Sequence, residues 1–227
     1  MHPLDNPTWA ALTTYQSDVA LVAPQARRFP PEMTVHGAFA KPTPEAWNDL
    51  RSLADAPVSL FSMSKPELPS GCTITRAVEL HLMLCEQPGS EKEFAGRDRA
   101  IVDLVAEDLP QMKALYEATR PERKLSPRLI ELGGFVGIKD NDRVLAMACL
   151  RLHFRGYREI STVATLPGHT GRGYATAVVG ELVRRIRSAG ETPYLTVRTD
   201  NDRAIGIYRR LGFRERNVVY STTVKWA

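Results

Sequence analysis

The sequence predicts an α/β fold with a mixed sheet, on three observations. The second half of the chain reads as strands, then helix, strand, helix, strand, the order of a sheet with helices packed on it. Two of the strands are joined by Asp140-Asn-Asp142, a hairpin turn signal, so part of the sheet is antiparallel. The strand that ends near Thr165 passes through a glycine-rich turn into a long helix and on to a further strand, which makes a crossover. An additional N-terminal α/β half precedes all of this.

In chain order, Asn6-Pro7 opens a helix over Trp9–Tyr15, and Val19–Val22 reads as a short strand. Pro30-Pro31 breaks the chain. Pro44 starts the helix PEAWNDLRSLADA, with Ala46, Trp47, Leu50, Leu53 and Ala54 on one face. Val58–Met63 is a strand, and Pro66, Pro69 and Gly71 make a turn. In Val78–Leu84, Val78, Leu80, Leu82 and Leu84 alternate with Glu79, His81 and Met83, which is strand periodicity. The polar stretch Gln87–Asp98 is where a domain boundary is expected, dividing the chain into 1–96 and 97–227.

The second unit starts with a strand at Ala100–Val105. A helix follows, capped by Asp108 with Pro110 in its first turn and reaching Ala118. A shorter helix over Pro127–Leu132 ends at Gly133-Gly134, and strands follow at Phe135–Lys139, Val144–Phe154 and Arg158–Thr165. Gly173–Ala189 is a helix stopped by Gly190. Tyr194–Thr199 is a strand, Asp202–Leu211 a helix and Val218–Lys225 the last strand.

Composition excludes several classes. With 227 residues, 43% hydrophobic and 25% charged, the chain is long enough for one large core or two small ones. Its net charge of +4 is mild, and acidic residues are interleaved with the arginines of Arg172–Arg216, so nucleic acid is not expected as a partner. No apolar run approaches the ~20 residues of a bilayer span, and no signal peptide is evident, so a cytoplasmic protein without membrane contact is expected. The cysteines, Cys72, Cys85 and Cys149, are odd in number and lack CxxC spacing, which reads as reduced and buried. His2, His36, His81, His153 and His169 stand apart from one another, so no metal site is expected.

The segment that points to chemistry is Thr165-Leu-Pro-Gly-His-Thr-Gly-Arg-Gly-Tyr-Ala-Thr176. Gly168, Gly171 and Gly173 let a backbone approach a ligand closely. The helix start behind them offers unpaired amides and partial positive charge, a seat for a diphosphate, with Arg172 adding a full charge. A Walker loop is excluded because no Lys-Ser or Lys-Thr follows the glycines. A dinucleotide fingerprint is excluded because Thr176 stands where its third glycine belongs. A glycine turn that merely caps a helix is the bland alternative. The next strand–helix unit then carries Asn201, Ala204, Tyr208 and Leu211-Gly-Phe213.

Together these segments resemble the GCN5-related N-acetyltransferase (GNAT) family, and within it the branch called FR47-like, over roughly Ala100–Lys225. Laid on the family's loop, Gln/Arg-x-x-Gly-x-Gly/Ala, the chain reads Thr170-Gly-Arg-Gly173-Tyr-Ala175; Thr170 departs from the usual Gln or Arg. The resemblance implies an acyl-CoA N-acyltransferase fold and acetyl-CoA as cosubstrate, with no metal. It implies that Val163, Ala164 and Thr165 pair with the pantetheine arm. Thr170, Gly171, Arg172, Gly173, Tyr174, Ala175 and Thr176 would cradle the diphosphate. Asn201 would contact the cofactor or order water, its alternative being a helix cap.

Tyr208 would be the acid that serves the departing thiolate, or else a core tyrosine. Glu159 resembles a position that supplies a base, with water, or a plain solvated carboxylate, as the alternative. His153 is expected to face solvent, and His169 to lie near cofactor phosphates. Gly212 is expected to end its helix and Phe213 to pack in the core. The expected reaction is direct acetyl transfer to a primary amine on a small molecule or peptide, by a monomer or homodimer, with no cysteine in the site. The competing reading is a coenzyme A-binding sensor or structural module without turnover. A further one, nucleic-acid contact through Arg184, Arg185 and Arg187, yields to a solvated helix face. The N-terminal half shows no motif tied to chemistry; it is expected to be a degenerate copy of the same fold, a cover for the acceptor cleft, or part of the core.

Overall fold

The structure, a computed structural model, describes residues 2–87 and 100–226. Local chemistry sets several element ends. Asn6 Oδ1 accepts from the Trp9 amide at 3.2 Å and Pro7 takes the first helical position, which starts α1 (Pro7–Leu12). Thr43 caps α2 (Pro44–Ser52) in the same way. The start of α3 (Leu109–Thr119) differs from expectation, because Asp108 does not cap it. Its carboxylate instead accepts from Lys139 Nζ at 2.6 Å and from the Val105 amide at 3.1 Å, closing the 3-10 turn Ala106–Asp108. Pro127–Leu132 is likewise only a 3-10 turn, over Leu129–Leu132.

Two sheets form. The strands β1 (Leu21–Val22), β2 (Ala26–Arg28) and β3 (Gly37–Phe39) make a small antiparallel sheet. Only β1 overlaps a predicted strand, and Ser17–Val19 ahead of it is a 3-10 turn. The large sheet has eight strands: β4 (Val58–Ser62), β5 (Cys72–Leu84), β6 (Ile101–Leu104), β7 (Phe135–Asp140), β8 (Arg143–Phe154), β9 (Tyr157–Thr165), β10 (Thr192–Arg198) and β11 (Arg214–Trp226). Their spatial order is β4-β11-β5-β10-β9-β8-β7-β6. Neighbours are antiparallel except β9 and β10, which are parallel and joined by the crossover helix α4 (Tyr174–Ser188). The helix α5 (Asp202–Arg210) connects β10 to β11.

The strand β5 starts at Cys72, six residues before the alternating run seen in the sequence, and it lies between β10 and β11. The expected boundary between 96 and 97 falls outside the described residues; β4 and β5, from before it, share one sheet with β6–β11, from after it. One core contains Leu4, Leu12, Phe29 and Met33 together with Leu152, Phe154, Val178 and Tyr194. No described helix is long and apolar enough to cross a membrane.

The centre of the large sheet carries two irregularities. Pairing of β9 with β10 stops at Tyr194↔Glu159, although β9 runs on to Thr165 and β10 to Arg198. The two strands therefore part, and β10 is paired from there on by β5 alone. Thr162, with φ 54°, sits where the register between β8 and β9 shifts, a bulge that redirects the last residues of β9.

Candidate active site

The gap between β9 and β10 has backbone groups waiting in it. The Leu166 amide donates to the Leu145 carbonyl at 2.8 Å, and Ala164 stands opposite Met147, so these residues bond toward β8. By the alternation of an antiparallel ladder, Val163 and Thr165 turn their amides and carbonyls to the open side. One of these is taken: Arg120 Nη2 donates to the Val163 carbonyl at 2.9 Å. Arg120 ends α3 and its guanidinium lies 5.2 Å from the centre of the Tyr116 ring.

At the end of β9 the chain enters the glycine turn. Gly168, Gly171 and Gly173 have φ of 82°, 81° and 77°, a conformation that disfavours side chains. A Cβ added at Gly168 or Gly171 would meet nothing within 4 Å, so the backbone conformation, not lack of space, selects glycine there. Gly173 is the N-cap of α4 and no side chain caps that helix. The first-turn amides of Tyr174, Ala175 and Thr176 thus have no partner within the helix. Thr170, Gly171 and Arg172 are exposed, whereas the Tyr174 side chain is in the core. Beside the turn an open cavity of about 520 Å³ is lined by Gln111, the β7–β8 turn, Leu145 and His169. The buried His169 Nδ1 has no hydrogen-bond partner. This uncapped helix start and open glycine turn fit a diphosphate.

Tyr208 lies on α5, 8% exposed, in edge contact with Phe213 at 5.9 Å. Burial pushes its pKa up to about 12, with the Arg120 charge opposing. Both readings of the residue survive: it packs in the core and its hydroxyl lies in the field of Arg120 at the gap. Asn201 is the N-cap of α5, its Oδ1 accepting from the Ala204 amide at 3.1 Å, and is exposed. Gly212, at φ 94°, follows the helix, and Phe213 is fully buried.

Glu159 differs from a solvated strand-end carboxylate. It is 1% exposed, and its two oxygens accept from Arg151 Nη2 at 2.6 Å and Arg151 Nε at 2.8 Å. The Leu152 amide approaches the same carboxylate at 3.4 Å. The neighbouring Tyr194 hydroxyl is buried without a partner. His153 does not simply face solvent: its Nε2 lies 2.7 Å from Glu191 and its Nδ1 2.7 Å from Arg158.

All three cysteines are free and buried. Cys149 stands opposite Ser161 on β9, nearer the site than the sequence implied, but burial pushes its thiol up to about 12. Cys85 is pushed to about 11 by the same cause. Neither thiol is a ready nucleophile. Arg184 and Arg185 pair with Glu181, Arg185 also with Asp103, and Arg187 donates to the Cys85 and Glu86 carbonyls. Among the described residues no group of three or more His, Cys, Asp or Glu could hold a metal ion.

A second set of residues carries no mark in the sequence. Arg123 lies within electrostatic reach of Arg76, Arg120 and Arg151, and Arg120 touches the gap at Val163. His36, 4% exposed and stacked on Phe61 at 5.2 Å, lies within electrostatic reach of Arg151 and Arg123. Thr-Arg-Pro-Glu-Arg, 119–123, reads only as a helix end before a proline, and nothing local marks it as part of a site.

Comparison with known proteins places this geometry. The family profile "FR47-like protein" matches residues 135–222. A crystal structure assigned to the GNAT family, from Novosphingobium aromaticivorans, is 30% identical and covers 100% of both chains with a TM-score of 0.89. Mycothiol acetyltransferase of Streptomyces avermitilis is 25% identical over 173 residues, 73% of this chain and 51% of that protein. N-alpha-acetyltransferase RimI of Mycobacterium tuberculosis is 41% identical over 56 residues, 25% of this chain and 34% of that protein. The chain thus spans about half, or less, of the length of these curated relatives. With its mixed sheet, parted central strands and glycine turn, the chain belongs to the GCN5-related N-acetyltransferase family, in the FR47-like branch.

Proposed function

We propose that the protein is an N-acetyltransferase that moves an acetyl group from acetyl-CoA to a primary amine by direct transfer. The observation that carries this reading is the parting of β9 and β10 directly before an uncapped, glycine-flanked helix start. Acetyl-CoA supplies an activated thioester. Thr165 and the Val163 amide, the Val163 carbonyl being held by Arg120, would align its arm along the open edge of β9, and the α4 amides with Arg172 would hold the diphosphate. Thr170, in place of Gln or Arg, leaves that grip to main-chain groups. Asn201 is assigned to capping α5 first, with any cofactor contact secondary.

Tyr208 would donate a hydrogen bond to the sulfur as it departs. Full proton transfer from a hydroxyl near 12 to a thiolate of pKa ~8.5 is uphill. Stabilisation by the donor, rather than complete transfer, is therefore its role. Glu159, occupied by Arg151, is assigned to holding that arginine, and the amine proton is assigned to water. Cys149 and Cys85, protonated at neutral pH, support transfer without an acyl-enzyme.

The test is release of free coenzyme A thiol from acetyl-CoA across a library of small amines and peptides. Turnover with any of them separates a transferase from a coenzyme A-binding module without activity. In parallel, acetyl-CoA at ~100 times its dissociation constant should stabilise the protein by about 2.7 kcal/mol, and adenosine much less. Equal shifts from both would remove the arm and diphosphate contacts from the reading.

A further inference from the structure

Three arginines, one of them bonded at the gap, lack carboxylate partners among the described residues. Among the described residues, no Asp or Glu forms an ion pair with Arg76, Arg120 or Arg123. All three are part-buried. Burial lowers the proton affinity of Arg123, and the charges of Arg76, Arg151 and Arg120 lower it further, with Tyr116 opposing. Arginine does not lose its proton in proteins, so this crowding is a standing electrostatic cost. Arg151 is the neighbour with a counter-ion, Glu159.

The glycine turn follows Thr165, whereas Arg120 bonds at Val163, with Arg123 one turn further along the chain and its backbone amide donating to the Arg120 carbonyl at 3.0 Å. The elements that bring the arginines together come from both halves: Arg76 from β5, Arg120 and Arg123 from the end of α3 and the loop after it. His36, stacked on Phe61 in the N-terminal segment, is within electrostatic reach of Arg123.

We propose that Arg76, Arg120 and Arg123 bind an anionic group, a carboxylate or a phosphate, carried by the acceptor amine. This rests on the transferase reading above and names the acceptor's class. Guanidinium groups suit such anions because two parallel N–H donors meet two oxygens. Arg120 already donates to Val163, so the anion would be anchored against the strand along which the thioester is aligned. An acceptor so anchored presents its amine to the gap.

The experiment compares matched amines in the coenzyme A release assay: β-alanine against β-alaninamide, and phosphoethanolamine against ethylamine, with short peptides ending in a carboxylate or a carboxamide. The anionic member of a pair should have a kcat/KM at least tenfold higher, and which pair shows it separates carboxylate from phosphate. Arg123→Gln and Arg76→Gln should each lower that preference roughly tenfold to a hundredfold, through KM. Arg123→Lys, which keeps the charge, should retain most of it. The preference is a ratio within each variant, so a smaller folded fraction does not mimic the effect. Equal use of charged and neutral amines by the parent, or an unchanged ratio in both glutamine variants, overturns the inference and leaves the transferase intact. Absence of thiol release with every amine overturns the transferase reading, and this inference with it.

Discussion

At the scale of single residues, Tyr208 and Glu159 show how burial decides between roles that sequence leaves open. Tyr208→Phe removes one hydroxyl and keeps the ring against Phe213, so packing should hardly change. If the hydroxyl donates to the departing sulfur, kcat should fall about 10²-fold with cofactor affinity little changed. Because burial holds the tyrosine's pKa near 12, the parent should lose no activity through its ionisation between pH 6 and 10. Steady-state rates over that range, beside melting curves, check both points; a Phe variant with parental turnover returns Tyr208 to the core. Glu159→Gln makes a different prediction. It leaves Arg151, whose side chain is 12% exposed, charged without its partner. Breaking such a pair from one side costs about 3–5 kcal/mol. At this chain length the midpoint should drop by roughly 10 °C. A variant of parental stability that had lost turnover would instead restore Glu159 as the base.

At the scale of elements, the glycine turn is where one substitution separates binding from folding. Gly173→Val puts a β-branched side chain at φ 77° beside the first-turn amides of α4. A strain of about 1–2 kcal/mol is tolerable for a domain, but obstruction of the diphosphate is not. Acetyl-CoA affinity should fall at least tenfold while circular dichroism stays parental, and unchanged affinity by calorimetry would move the cofactor elsewhere. The turn was legible because glycine, helix start and following strand are all local signals. So were β5, β7 and β8, through alternation or a hairpin turn. The strands β2 and β3 were not, because three residues carry no period and β2 includes two arginines. Asp108 misled for a similar reason: its partner Lys139 is 31 residues away, and only the fold brings the two to 2.6 Å. The arginines were hidden in the same way, since Arg76, Arg123 and Arg151 are far apart in the sequence and come within electrostatic reach only in the folded sheet.

At the scale of the whole molecule, the N-terminal half is tied to the rest by more than its strands. β5 fills the place between β10 and β11, and His36, buried and stacked on Phe61, lies within electrostatic reach of Arg151 and Arg123. That position has a thermodynamic signature. Burial first, then the charges of Arg151 and Arg123, hold the His36 pKa well below its usual 6.5, so the folded protein keeps the ring neutral. The unfolded chain takes up a proton there below pH ~6.5, the native chain only at lower pH. The unfolded state then binds more protons, and stability must fall as pH drops through that value. The carboxyls of Asp108 and Glu181, held low by Lys139 and Arg184, act in the same direction only below about pH 4.5, which leaves a window for the histidine. Denaturant melts of the parent between pH 7.5 and 5 should show stability declining below pH 6.5. His36→Gln, which can still hydrogen-bond to Thr34, should flatten that decline. Parallel slopes in the two proteins would place the titrating group elsewhere and take His36 out of the junction between the halves.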